Sequence, residues 1–182
     1  MQTTLHLERR IEIGGMPLHE ARAQWAQWRA RYGFKLDVAP LLPEPASNLK
    51  LALSQVPTYG LTLSAANNAG PNVCVWSTEA CRRACIMTSS WRGKDGRVIL
   101  SRAAKTTFLV ECPEAFLTLL NDELKKRVRK HGNVRARLNV GSDIRWEFVA
   151  PWLFDIGGIA YYDYTKAPLL EHRSPGSNYR LV

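Results

Sequence analysis

The stretch 134–143, VRARLNVGSD, decides the fold class. Val134, Ala136, Leu138 and Val140 alternate with Arg135, Arg137 and Asn139, the two-residue period of a strand with one apolar and one polar face. Gly141-Ser142-Asp143 ends the run, and a helical pattern around Trp146–Phe154 follows. Ile159–Tyr164 reads as the next strand, closing at Thr165-Lys166. Upstream, Pro113 suits a helix start, and Phe116, Leu120, Leu124 and Val128 repeat every four residues along one helical face. A further helix covers roughly residues 98–110, after a turn over 91–96. Ser77 is expected to cap a helix running to about Ser89. Thr58–Ser64 is expected to form a first strand, and Tyr179–Val182 the start of a last one.

Strands separated by helices pair in parallel through right-handed crossovers. The expected class is α/β, as a partial barrel or an open, mostly parallel sheet of βα units, because a complete eight-unit barrel needs roughly 250 residues and this chain has 182. The first part of the chain differs. Residues 1–14 look extended, and an amphipathic helix with Leu18, Ala21, Trp25, Trp28 and Tyr32 on one face follows, stopping at Gly33. A proline-rich linker comes next (Pro40, Pro43, Pro45, Pro57). The division is a helical appendage over 1–45 and a cysteine-containing α/β domain over 46–182.

Composition narrows the function classes. A hydrophobic content of 46% allows a buried core. No run reaches the roughly 18 apolar residues of a membrane span, and no secretory signal opens the chain, so a cytoplasmic location is expected. The net charge is +9, which favours phosphate-rich or other acidic partners. Lys125, Lys126, Arg127, Arg129 and Lys130 are concentrated in one helix, a solvated face by the plain reading and a nucleic-acid contact by the alternative.

Parallel α/β sheets bind ligands beyond the carboxyl ends of their strands. Three such ends carry reactive groups: Cys74, Cys81 and Cys85 after the first, Ser142 and Asp143 after the second, Thr165 and Lys166 after the third. Ser142 and Asp143 are equally good helix caps. In a helix, Cys81 and Cys85 would share one face, with Cys74 folding back from the preceding loop. Arg82 and Arg83 lie beside them, and positive charge favours thiolates. Three thiolates could hold an iron–sulfur cluster, or zinc with a fourth ligand such as Cys112. The spacing C-x6-C-x3-C matches no standard zinc or ferredoxin pattern, and separate buried thiols are the alternative. The histidines, His6, His19, His131 and His172, pair with no cysteine at ligand spacing.

In order, Asn48-Leu49-Lys50, Thr58-Tyr59-Gly60-Leu61, the three cysteines, Ser142-Asp143, Tyr164-Thr165-Lys166 and Pro175 through Asn178-Tyr179-Arg180-Leu181 resemble the phage "Gene product 88" family, a set of proteins of unestablished activity. The resemblance runs from about Asn48 to the end. Ile86-Met87 stand where members carry Tyr-Ala, and members continue past the last strand, so a short member or a fragment is expected. A more distant likeness is to radical S-adenosylmethionine enzymes, whose three thiolates hold a four-iron cluster after a first strand. Three functions compete on these grounds. One is an iron–sulfur, radical-type enzyme with Asp143 and Lys166 facing substrate and Ser142 and Thr165 beside the cofactor. The second is a zinc- or thiol-stabilised nucleic-acid-binding protein. The third is a non-catalytic host-interaction protein presenting Trp25 and Trp28.

Overall fold

The computed structural model describes residues 9–12, 14–45, 53–167 and 178–182. Asn48-Leu49-Lys50, Pro175, His6, His172 and most of the extended segment over 1–14 lie outside the described residues. The elements are α1 (Leu18–Ala30), β1 (Thr58–Gly60), α2 (Glu79–Arg83), α3 (Ile86–Ser89), α4 (Trp91–Lys94), α5 (Gly96–Glu111), α6 (Pro113–His131), β2 (Val134–Arg137), α7 (Trp146–Val149), β3 (Ile159–Asp163) and β4 (Tyr179–Leu181). A 3-10 turn, Pro151–Asp155, follows α7.

The four strands form an open sheet, all parallel, in the order β1-β2-β3-β4. Parallel strands that add one after another in chain order, each through a right-handed crossover, bring their connections to the same face. The burial pattern agrees. Val134 and Ala136 of β2, Ile159 and Tyr161 of β3 and Tyr179 of β4 are buried, while Arg135, Ala160 and Arg180 on the alternate face are exposed.

The covering layer is α6 with α5 and α1. Asp95 caps α5 through the Arg97 and Val98 N–H groups, and Pro113 opens α6 at a position that needs no N–H. Phe116, Leu120 and Leu124 are fully buried, as the four-residue stripe predicts. α1 lies on α5 and α6: the Trp25 ring sits 4.9 Å from Phe108 and its indole N–H donates to Ala39 O at 2.7 Å. Trp28 donates to Thr107 Oγ1. With Trp25 only 2% exposed, this helix is core packing, which corrects the idea of a tryptophan contact surface. Gly33 ends the turn after α1 at φ +75°, where a side chain would be strained.

The proline-rich segment is held as firmly. Leu41 and Leu42 are buried, and their N–H groups both donate to the Glu123 carboxylate at 2.8 Å. Lys105, buried, donates to Leu41 O at 3.0 Å. Burial pushes the Lys105 pKa down to about 8, against the pull of nearby Glu123.

Two expectations are corrected by local chemistry. The helix expected from Ser77 to Ser89 is two one-turn helices: Thr78, not Ser77, caps α2 by accepting from Cys81 N, and the chain breaks at Ala84 before restarting with Cys85 as the cap of α3. The helix expected over Trp146–Phe154 stops at Val149, because Pro151 lacks the N–H that would continue it.

Candidate functional site: the thiol and carboxylate rim

The carboxyl ends of β1, β2 and β3 converge. β1 pairing extends past its end, with Leu61 N donating to Arg137 O and Val140 N to Leu61 O. The loop after it, residues 65–73, turns back on itself through Val73 N to Ala66 O at 3.1 Å. Ala66 is held at φ +46°, the one non-glycine residue with positive φ among those described. Strain of this kind survives only where surroundings over-determine the backbone. Here the Ala66 N–H donates to Cys74 Sγ at 3.2 Å, and the Cys74 thiol donates to Gly141 O at 3.4 Å. Cys74 thereby ties the first strand end to the second.

Asp143 joins the second end to the third. Its N–H donates to Val73 O, its Oδ1 accepts from Thr165 Oγ1 at 2.8 Å, and its Oδ2 accepts from Lys166 N at 2.9 Å. The Lys166 side chain is exposed. Cys74, Asp143, Thr165 and Lys166 are therefore brought together from three separate chain segments, as expected from parallel strand ends.

Burial, above all, raises the Cys74 pKa, and the hydrogen bond from Ala66 opposes that rise. Cys85, Asp143 and Cys81 raise it further by charge. Met87 of α3 lies against Gly141: a Cβ there would meet Met87 Cε at 2.8 Å and Leu63 O at 3.0 Å. That contact seats α3, and with it Cys85, on the rim. Cys112 is not part of this group. It caps α6, and the charges acting on it are Arg31 and Glu111. An open cleft lined by Arg10, Glu111, Cys112 and Glu114, among others, shares no residue with the rim. All four cysteines are free thiols. Among the described residues, no group of three or more His, Cys, Asp or Glu side chains is arranged to hold a metal ion.

Ser142 faces inward. Its hydroxyl donates to Asn139 Oδ1 at 2.9 Å in a buried cluster where Ile144 N and Trp146 Nε1 donate to the same oxygen, and Asn139 Nδ2 donates to Ile144 O. Asn139 organises the turn after β2, a role that strand alternation alone did not reveal. Asp163 was also missed. It is buried at the end of β3 and accepts from Leu138 N, Asn139 N and the Tyr179 hydroxyl. Burial raises its pKa to about 7, with the hydrogen bonds and Arg137 pulling the other way. The signal available in sequence was a lone acid closing an apolar strand, Ile159–Asp163.

In the basic stretch, Lys125, Arg129 and Lys130 are exposed. Lys126 pairs with Asp122 at 2.6 Å. Arg127 is engaged with Glu44 and with Leu42 O, and it lies over the Tyr59 ring. Arg127 is thus a clamp on the proline-rich segment and not a free contact.

Fold and rim together define an α/β protein with a parallel sheet and a thiol-bearing carboxyl edge. The family model for Gene product 88 matches residues 39–182, and the chain belongs to that family of phage proteins. The match begins after α1 and includes every rim residue. No curated protein and no solved structure matches the chain, and the distant likeness to radical S-adenosylmethionine enzymes gains no support. Among the described residues no helix is long and apolar enough to cross a membrane.

Proposed function

We propose that the rim is a site for a thiophilic metal or cluster, with Cys74, Cys81 and Cys85 as ligands and Asp143 and Lys166 facing the substrate. The observation that carries this reading is geometric: Cys74 and Asp143 are held by hydrogen bonds across three strand ends, and Met87 packed on Gly141 seats α3, which Cys85 precedes, against them. A cation bound there would favour the thiolates, because a bound metal deprotonates the thiols it coordinates. The donor set fits. Thiolates select iron–sulfur clusters and zinc over hard cations, and three protein ligands leave one position open, as catalytic metal sites do. The rim residues are not arranged as a coordination shell, and the break at Ala84 between α2 and α3 is the joint that would adjust on loading. An iron–sulfur cluster comes first, since three cysteines suffice with an open iron. Zinc is the alternative, and S-adenosylmethionine has the least support.

The neighbouring residues have definable tasks. Thr165 orients the Asp143 carboxylate, Ser142 steadies the turn that carries it, and the exposed Lys166 ammonium offers a positive group to an anionic substrate. The test is purification of the full chain without oxygen, followed by iron, sulfide and zinc analysis of the protein and its single-cysteine variants. Visible absorbance that is lost in Cys74→Ser, Cys81→Ser and Cys85→Ser but kept in Cys112→Ser supports the cluster. Stoichiometric zinc with the same dependence makes the site a zinc site. Protein that takes up neither leaves the three thiols as packing residues.

A further inference from the structure

Among the described residues, the sheet face opposite the helical layer is open over β2, β3 and β4, which is unusual for parallel strands, since βα crossovers generally cover both sides; at β1 it is covered, Thr58 being 1% exposed and Gly60 buried. Register fixes what that face carries. Thr58, Arg135 and Ala160 share one row across β1, β2 and β3. Two residues on, Gly60 pairs with Arg137 and Tyr162 with Arg180. Arg135 and Arg180 are exposed, Arg137 and Tyr162 half-buried, and Tyr164, just past β3, is 56% exposed. The Arg137 guanidinium lies 5.5 Å from the Tyr162 ring centroid and 4.9 Å from that of Tyr164. Its Nε is buried without a hydrogen-bond partner.

The arginines of this face form no ion pair among the described residues, whereas Arg10, Arg22, Arg29, Arg83, Lys126 and Arg127 each pair with an acid. Arg137 acts on Asp163 through charge, but Asp163 belongs to the buried face and forms no ion pair with it.

We propose that this open face binds single-stranded nucleic acid. Arg135, Arg137 and Arg180 meet phosphates, and the Tyr162 and Tyr164 rings meet bases. Three unpaired cations in adjacent rows attract a polyanion and gain from counterion release. Rings set among them supply sequence-tolerant stacking, the combination that single-strand binders use. Three strands spaced about 4.8 Å apart make a shallow surface roughly 10 Å wide, a sheet face and not the helix or two-stranded ribbon that enters a major groove. A duplex is therefore the poorer ligand. These residues are separate from the proposed metal ligands, so the two proposals stand or fall independently.

The test is fluorescence anisotropy with the full chain and end-labelled DNA and RNA oligonucleotides of about 20 nucleotides, long enough for a single-strand site, at about 50 and 200 mM salt. Single strands should bind more tightly than the matching duplex, and more weakly at the higher salt. The double variant R135E/R180E should lose at least tenfold in affinity, and Tyr164→Ala at least fivefold, with circular dichroism unchanged in both. Reversal of Lys125 and Arg129 on α6 should change affinity less than twofold. Absence of binding at the lower salt overturns the proposal. So does equal affinity for duplex, an equal loss in the α6 variant, or equal affinity for a polyglutamate probe, which would mark a surface for acidic protein.

Discussion

The helical side of the sheet and its carboxyl rim are held together by different chemistry. On the helical side, packing does the organising: Trp25 on Phe108, with Phe116, Leu120 and Leu124 along α6, all with little or no exposure. Polar groups there, Lys105 and Glu123, clamp one backbone segment. On the rim the order is reversed. Asn139, Asp143 and Asp163 bind the backbone of neighbouring strand ends, and apolar contact fills in around them. Deleting an apolar group from the first region costs cavity and transfer energy. Deleting a polar group from the second strands buried donors. A helical layer can absorb small changes by repacking, whereas a rim built from specific hydrogen bonds holds reactive groups in fixed places.

Substitutions sharpen this contrast. Trp25→Ala should cost about 3–5 kcal/mol, measured by urea unfolding, and a near-neutral result would remove α1 from the core. Asn139→Ala should cost about 3 kcal/mol, because it leaves the buried Ile144 N–H, Trp146 Nε1 and Ser142 hydroxyl without their acceptor. A loss under about 1 kcal/mol, the level of a surface change, would mean that the turn does not depend on it.

The two regions should also respond oppositely to pH. Asp163 has a folded pKa raised to about 7, so the folded state holds its proton after the unfolded state has lost it. Its contribution is fully present below about pH 4 and is lost as pH rises towards 7, with a slope near 1.4 kcal/mol per pH unit. Lys105 is lowered to about 8. The unfolded chain holds that proton longer, so stability rises between about pH 8 and 10.4. Asp163→Asn should flatten the first slope and Lys105→Met the second. Slopes that persist in both variants would assign them to other groups. The smallest effect is expected at α6, where combined reversal of Lys125, Lys126 and Arg129 should alter stability by no more than about 1 kcal/mol, the range of exposed ion pairs. A larger loss would mean that these side chains do more than face solvent.

The same contrast explains what could be read from sequence. Four-residue spacing exposed the stripe of α6, and alternation exposed the two faces of β2, because apolar period reports directly on which side is buried. The parallel order of strands then brought Cys74, Asp143, Thr165 and Lys166 to one rim. What escaped was polar and local. Thr78 and Ser77 are adjacent and both suit a cap, so the start of α2 was shifted by one residue. Nothing in Ala84-Cys85 announces a helix break. Asn139 reads as an outward strand residue until the chain leaves the ladder after Arg137 and turns it inward. Asp163 looks like a strand terminator, and only the neighbouring end of β2 reveals that it is an acceptor for two backbone N–H groups. By sequence Arg127 groups with its basic neighbours, although its partner, Glu44, lies in the proline-rich segment.

If the rim holds a metal or cluster, Cys74, Cys81 and Cys85 form one ligand set and Cys112 stands apart. Thiol alkylation read residue by residue in a mass spectrometer tests it, comparing protein kept with its metal or cluster and protein treated with a strong chelator under reducing, oxygen-free conditions. Cys74, Cys81 and Cys85 should be protected together before chelation and become reactive together after it, while Cys112 reacts at the same rate in both. Four cysteines whose rates are unchanged by chelation would contradict it.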